Sequence, residues 1–532
     1  MRSSLARLAF LTLGLGSLGA GVACSAREPE DGSARPDEAA ARPHPSAAPV
    51  EPPSAAPSPE AGAASDAPPV APEGPKDDGP RVYAKSRFVW IMPQPGASQN
   101  SWTGFMWFGE SVKLKRAEPI LGPGCAAWYE VEPRGFVCVD GERATLDPND
   151  PVFAAVRPFM ARIDSPWPHE YGESRGVERY RELPPAELQR KREWDLEDHL
   201  KKLEAARAGT LDPSLAGISL EPVPSRAPIA LPKLPPTFYE NRTRLRPLST
   251  VAWIAERNQD GRDWLLGADL MWMPKDRVAP YEKVTFHGVR LGKDASLPLA
   301  FFRVKARPKY QLDGESVVAT GETWARLSYV ELTSRTLTRD GKTYLETKDD
   351  GRYLDQDDAV VPTPAERTPW GAPVGGVDET AIAPTGRQTW LETSVYGGWL
   401  IAYEGTKPVY VTLIAPGRGG IPRPGIPAID TAATPTGTFK ITGKFITASM
   451  VAPYEFIHSD VPWTQNFSGP HALHGAYWHD RWGEPMSGGC VNVSPIDGKW
   501  LFEFTEPDLP EGWHGMRWEP KLSPATTFVV HR

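Results

Sequence analysis

The candidate chemistry of this chain lies in one stretch, HALHGAYWHDRWGEPMSGGCVNVSPIDGKW, from His471 to Trp500. It contains His474-Gly475 and, further on, Ser487-Gly488-Gly489-Cys490-Val491-Asn492. A cysteine attacks a carbonyl as its thiolate, so the chemistry requires a nearby base and backbone N–H groups for the oxyanion that forms. Gly488 and Gly489, lacking a Cβ, let the chain turn sharply and bring N–H groups close to a bound carbonyl. His474 ends an apolar run and can return to the same place on a neighbouring strand. The pattern reads as Cys/His acyl transfer. His471, His474 and His479 also form an H-x-x-H-x-x-x-x-H cluster with the look of a metal site. On one strand, however, positions i and i+3 face opposite sides, so His471 and His474 do not share an ion, and no metal is expected there.

The elements that must position these residues are mostly strands. Gln388 to Val395, Gly397-Gly398 and Trp399 to Tyr403 read as a hairpin, and Pro408 to Ile414 as a further strand. Gly417 to Pro427 is a Gly/Pro loop, after which Thr438 to Ile441 resumes the sheet. Beyond Cys490, Ser494, Pro495 and Asp497 announce a helix: a hydroxyl cap, proline at the first helical position and an acid in the first turn. Trp500, Leu501 and Phe504 would pack that helix on the sheet.

With these residues in view, the stretch resembles the catalytic signature of the L,D-transpeptidases, the YkuD-type domain. There a His-Gly is followed, after a variable gap, by Ser-His-Gly-Cys, an aliphatic residue and Arg or Asn. His474-Gly475 match the first part, and Ser487, Gly489, Cys490, Val491 and Asn492 the second. Gly488 departs from the usual histidine, which bears on substrate positioning and rate. Pro435-Thr436-Gly437-Thr438-Phe439 resembles the family's Pro-Thr-Gly strand entry, and the likeness runs from about Gln388 to His531. It implies Cys490 as nucleophile, His474 as base and then acid, the Gly475 carbonyl orienting the imidazole, and the N–H groups of Gly489 and Cys490 as oxyanion donors. Ser487 and Asn492 would shape the site. Tyr477 and Trp478 either line the substrate groove or pack in the core. The implied reaction takes the acyl group of a peptidoglycan tetrapeptide stem, releases terminal D-alanine and passes the acyl group to an amine of another stem, a protein or a free D-amino acid. With water as acceptor the enzyme would be an L,D-carboxypeptidase. A catalytically decayed wall-binding or regulatory protein is the alternative that Gly488 and the large non-catalytic middle suggest.

The remaining chain, 532 residues in all, has length for several domains, and 58 prolines with 48 glycines favour turns and linkers over long helices. Net charge is −8 with no basic cluster, which disfavours nucleic acid as a partner. Residues 1–24 read as an export signal: Arg2 and Arg7 flank the start, an apolar run from Leu8 to Ala20 follows, and Val22-Ala23-Cys24 closes it. The ending resembles a lipoprotein processing site, making Cys24 an acylated N-terminus and placing the protein in the cell envelope on a lipid anchor. An ordinary cleaved signal or an uncleaved anchor are the other readings. Residues 25–80, rich in Pro and Ala without an aromatic, read as a disordered tether spanning about 40 Å as a coil. Cys125 and Cys138 flank a hairpin-like segment and are placed to bridge it, which leaves Cys490 as the odd, reactive thiol.

Residues 81–150 show short apolar runs broken by turns, as in a small β module. Aromatic hairpins recur around Trp128 and Phe136, Trp264 and Trp272, and Tyr344 and Tyr353, and resemble the closing hairpin of bacterial SH3-like modules. A helix is expected over Pro185 to Ala208, inside a connector covering 151–245 that ends Pro-rich. Further β modules would occupy 246–361, a linker 362–385 and the catalytic domain 386–532. The expected fold is mainly β: SH3-like small barrels followed by an L,D-transpeptidase-like β-sandwich with one helix behind the nucleophile.

Overall fold

The computed structural model describes residues 79–532, except 224–230, 232–233, 236–237, 240–241, 377–387 and 452–455. The export signal, Cys24 and the tether as far as residue 78 lie outside the described residues, as does the 362–385 segment from residue 377 onward.

The fold is mainly β, and the strand Trp399–Glu404 explains its layering. Leu400 and Ala402 enter one core cluster with Leu473, Val491, Val493, Leu501 and Phe504. Trp399, Ile401 and Tyr403 enter another with Phe286, Val289, Leu299 and Phe301. A strand apolar on both sides needs a cover on each. One cover is a second sheet with the helix Pro495–Phe504; the other comes from a segment a hundred residues upstream.

The first of these two sheets has six strands, in the order Val289–Arg290, Lys407–Leu413, Trp399–Glu404, Thr389–Ser394, Thr527–His531, Gly437–Lys440. The second has ten. It runs Val491–Val493, His471–Gly475, Ile457–Ser468, Gly443–Val451, Gly515–Arg517, Gly104–Met106, Val89–Met92, Phe136–Cys138, Cys125–Glu130, Ile120–Gly122. Gly515–Arg517 is the seam, pairing with Gly443–Phe445 on one side and Gly104–Phe105 on the other. A Cβ on Gly515 would lie 2.5 Å from Phe445 and 2.7 Å from Phe105, so glycine there makes room for the aromatic pair. Hydrogen bonding is therefore continuous across the boundaries read at 150 and 386. Residues 365–376 are likewise bonded along the six-stranded sheet, through Ala365 to Glu392 and Gly375 to Thr406.

The recurring aromatic hairpins are present, with Trp128 opposite Cys138, Trp264 opposite Pro274 and Tyr344 opposite Asp355. Cys125 and Cys138 are disulfide-bonded across the first. The second and third each run into a 3-10 turn, Lys275–Arg277 and Gln356–Asp358. They belong to separate sheets of five and six strands.

The single helix expected over 185–208 is two, Ala186–Arg192 and Leu196–Arg207. At the break Glu193 turns inward to accept from Arg262 (2.8 and 2.9 Å) and from Tyr180, while Arg262 also binds Asp276. A buried arginine needs all its N–H groups matched, and that demand overrides the helical pattern. Trp194, at the break, is 83% exposed as a result. The helix after Cys490 forms as read: Ser494 Oγ accepts from Asp497 N–H, Pro495 is first, and Leu501 and Phe504 enter the core.

Candidate active site

The site is built on two parallel strands, His471–Gly475 and Val491–Val493, in the register Leu473 to Val491, His474 to Asn492 and Gly475 to Val493. Alternation sorts their side chains. Leu473, Val491 and Val493 point into the main core. Ala472, His474, Cys490 and Asn492 share the other face, where Cys490 packs with Ala472, Met450, Val461 and the edge of Trp478. Cys490 carries no disulfide and is 2% exposed.

His474 is buried beside it, with Nδ1 3.1 Å from the Gly475 carbonyl. That carbonyl can only accept, so Nδ1 carries the proton and Nε2 is left with its lone pair. Burial draws the imidazole pKa down to about 3; the Gly475 carbonyl opposes this, and His458 and His479 add to it. His474 is thus a neutral proton acceptor at pH 7. Gly475 is closely packed, since a Cβ there would lie 3.1 Å from Pro462 and 3.2 Å from Pro495 and would push them back.

The turn before Cys490 is tied at several points. Ser487 Oγ donates to the Cys490 carbonyl (2.5 Å) and accepts the Gly489 N–H (3.1 Å). Ser487 N–H binds the Pro416 carbonyl, and Asn492 and Ala415 exchange a pair of backbone bonds. Gly489 has φ +124°, and a Cβ there would meet the Ala433 carbonyl at 2.7 Å and the His471 ring at 2.9 Å. The sequence reading made the Gly489 N–H an oxyanion donor; in this structure it is engaged by Ser487, because the hydroxyl closes the turn on itself.

His471 lies on the opposite face of its strand from His474. Its Nδ1 binds the Ser468 carbonyl, and its Nε2 is buried without a hydrogen bond against Gly489. Among the described residues no group of three or more His, Cys, Asp or Glu is arranged to hold a metal ion. Trp478 is half-buried, stacked on His458 (4.2 Å) and tilted against His474 (5.8 Å). Tyr477 is a packing residue and not a groove wall. It is 3% exposed, stacks on Tyr171 at 3.8 Å, and its hydroxyl donates to Ser459 and meets Thr250. It faces the upstream sheet because it leads out of the strand that sheet covers.

Three contributors escaped the sequence reading. Met450 and His458 come from the hairpin Gly443–Val451/Ile457–Ser468, and no local motif marks them. Asp497, read only as a first-turn acid, is fully buried and accepts from Gly288 N–H (2.7 Å), Tyr410 Oη (2.6 Å) and Thr412 Oγ1 (2.6 Å). Burial raises its pKa, against the pull of those donors.

With this geometry in hand, the comparison with known families is specific. Residues 397–516 match the YkuD family model, the L,D-transpeptidase catalytic domain. The YkuD match spans both strands, the turn and the helix behind Cys490. Solved structures that resemble the chain include a cysteine-to-serine mutant of the Enterococcus faecium L,D-transpeptidase, at 20% identity, covering 27% of this chain and 50% of that one, with TM-score 0.20. L,D-transpeptidase 3 from Mycobacterium tuberculosis gives 14% identity, 43% and 79% coverage and TM-score 0.20. An L,D-transpeptidase from Mycobacterium smegmatis gives 14%, 47%, 100% and 0.21. The chain thus spans half the length of the Enterococcus relative. No curated protein matches it.

Proposed function

We infer that the YkuD-type region is an active cysteine acyltransferase, an L,D-transpeptidase acting on peptidoglycan stem peptides. The observation that carries this is the placement of Cys490 and a neutral His474 on one face of paired parallel strands, with Nε2 of His474 as the free lone pair. His474 takes the thiol proton, the thiolate attacks the carbonyl of the diamino acid, and an oxyanion forms. As it collapses, the C–N bond to D-alanine breaks, His474 returns its proton to the leaving amine, and a thioester to Cys490 remains. An incoming amine gives up a proton to His474, forms the new amide and expels the thiolate. No metal or cofactor enters these steps. Ser487 holds the turn, the Cys490 N–H is the oxyanion donor, and Trp478 and Asn492 border the acyl donor.

The rest of the chain is read as its delivery apparatus: a signal ending at lipidated Cys24, a tether over 25–80, SH3-like elements over 81–150 and 246–361 joined through 151–245, and the 362–385 passage into the catalytic domain 386–532. Its place would be the cell envelope, lipid-anchored. Among the described residues no helix is long and apolar enough to cross a membrane.

The test is intact mass after incubation with a carbapenem, whose strained carbonyl stands in for the acyl donor. One adduct on the parent and none on Cys490→Ala supports the reading; no adduct on folded, reduced parent overturns it. Muropeptide assays then identify the acceptor.

A further inference from the structure

His479 touches Asn492, and the hydrogen-bond requirements of the two side chains admit one arrangement. The backbone N–H of Arg481 points at His479 Nδ1 at 3.3 Å. A backbone amide can only donate, so Nδ1 is the bare, accepting nitrogen. Burial keeps the ring neutral, its pKa drawn down to about 4 against the attraction of Asp480. A neutral imidazole with a bare Nδ1 carries its proton on Nε2. That nitrogen lies 3.2 Å from the carboxamide of Asn492. In the structure the amide presents its Nδ2 to that nitrogen, so that two donors face each other, and its Oδ1 stands buried without a partner. A half-turn of the amide, whose two ends are nearly isosteric, satisfies the ring N–H with the carbonyl oxygen.

We propose that His479 is a positioning residue whose Nε2–H holds the Asn492 carboxamide with its NH2 turned onto the catalytic face, as a donor to an oxygen acceptor of the acyl donor. The acyl donor's identity rests on the transferase reading above; the tautomer and the amide orientation do not. Asn492 is 1% exposed and sits opposite His474 on the face that carries Cys490. The end of its amide turned away from His479 is buried and, as an oxygen, meets no donor in the fold. As NH2 it offers two hydrogens where the carbonyl and carboxylate oxygens of a peptide would lie.

The loop that carries His479 is braced to hold this ring. Arg326 binds the carboxylate of Asp480 at 2.8 Å and its carbonyl at 2.7 Å. Arg303 binds the Gly483 carbonyl at 2.6 Å, and Trp482 packs against the imidazole at 4.7 Å. Two arginines from connections between upstream strands, Arg303 after Leu299–Phe301 and Arg326 after Ser316–Trp324, thus fix a loop whose inward group is His479.

The experiment has two readouts on the full chain. In 15N-histidine-labelled protein, long-range proton–nitrogen correlation should show His479, assigned by its loss in His479→Phe, as the neutral Nε2–H tautomer at pH 7. An Nδ1–H tautomer or a doubly protonated ring overturns the proposal. In carbapenem acylation, Asn492→Leu and His479→Phe should each slow the second-order rate by about 10- to 100-fold, the scale of one oriented donor. The double variant should be no slower than Asn492→Leu alone. His479→Gln, whose amide N–H reaches the Nε2 position, should recover to within about threefold of the parent, on the same scale. Losses that multiply, or a Gln variant as slow as Phe, overturn it. A parent that is never acylated refutes the transferase reading instead, and the tautomer then decides the positioning by itself.

Discussion

Asp497→Ala should destabilise the fold around the helix Pro495–Phe504 by about 3–5 kcal/mol, the range for breaking one side of a buried charged network. The carboxylate accepts from Gly288 N–H, Tyr410 Oη and Thr412 Oγ1, all at 2.6–2.7 Å, with no solvent exposure. Alanine leaves Gly288 N–H and Tyr410 Oη without an acceptor and Thr412 Oγ1 with only its 3.3 Å bond to the Leu413 carbonyl, each unmet donor costing about 1–3 kcal/mol, partly offset by not having to bury a carboxylate. Asp497→Asn keeps one acceptor oxygen and the shape, and Thr412 can turn its hydroxyl to accept, so its loss should be about 1–2 kcal/mol. The consequence reaches the site because Asp497 ties the upstream segment at Gly288 and the strand Lys407–Leu413 to the helix that follows Cys490. The assay is urea unfolding followed by labelling of the Cys490 thiol in a Cys24→Ser background. With a slope of about 2 kcal/mol per molar urea, the Ala variant should label at a midpoint about 1.5–2.5 M lower. A shift below about 0.3 M, or Asn as damaging as Ala, would refute the reasoning that unmet donors set the loss.

The pH dependence of acylation should show no acid limb near 6.5, because burial holds His474 at about 3 and it stays a base down to about pH 4; carbapenem acylation rates across pH 4–8 check this. His169, His458, His474 and His479 all have pKa values pushed below the ordinary 6.5, to between about 3 and about 4, so the unfolded chain binds more protons than the fold in that window. Their contribution to stability is complete above pH 6.5 and falls as pH drops toward 3, which denaturation midpoints at pH 7 and 5 will register as a lower value at 5. Gly489→Ala should abolish acylation by more than about 100-fold in a folded protein, since the new Cβ meets the Ala433 carbonyl at 2.7 Å on a backbone at φ +124°; a rate within threefold of the parent would exclude that clash. Reducing Cys125–Cys138, which closes a loop of sequence separation 13, should lower the stability of the first hairpin region by about 2–3 kcal/mol, read as earlier loss of protection in hydrogen exchange over 120–138.

What the sequence determined by itself was local. Gly489 and the Ser494-Pro495 helix start are legible because each works through neighbours a few positions away, and Cys490 and His474, on separate strands, stand out by residue type and motif. A turn needs glycine at the residue that turns, a cap needs a hydroxyl at the residue that caps, and a nucleophile needs a base whose spacing two adjacent strands can bridge. The aromatic hairpins were legible for the same reason. The tertiary structure decided what depends on partners remote in the chain. The burial of Tyr477 against Tyr171, the break at Glu193 imposed by Arg262, and the joining of Gly104–Met106 to Gly515–Arg517 in one sheet all arise between residues 69 to about 400 positions apart. Local periodicity carries no record of such pairings, because an apolar strand requires a cover on each face without specifying which segment supplies it. The neutral state of His474 belongs to the same class: burial and the Gly475 carbonyl set it, and both act only once the sheets have closed.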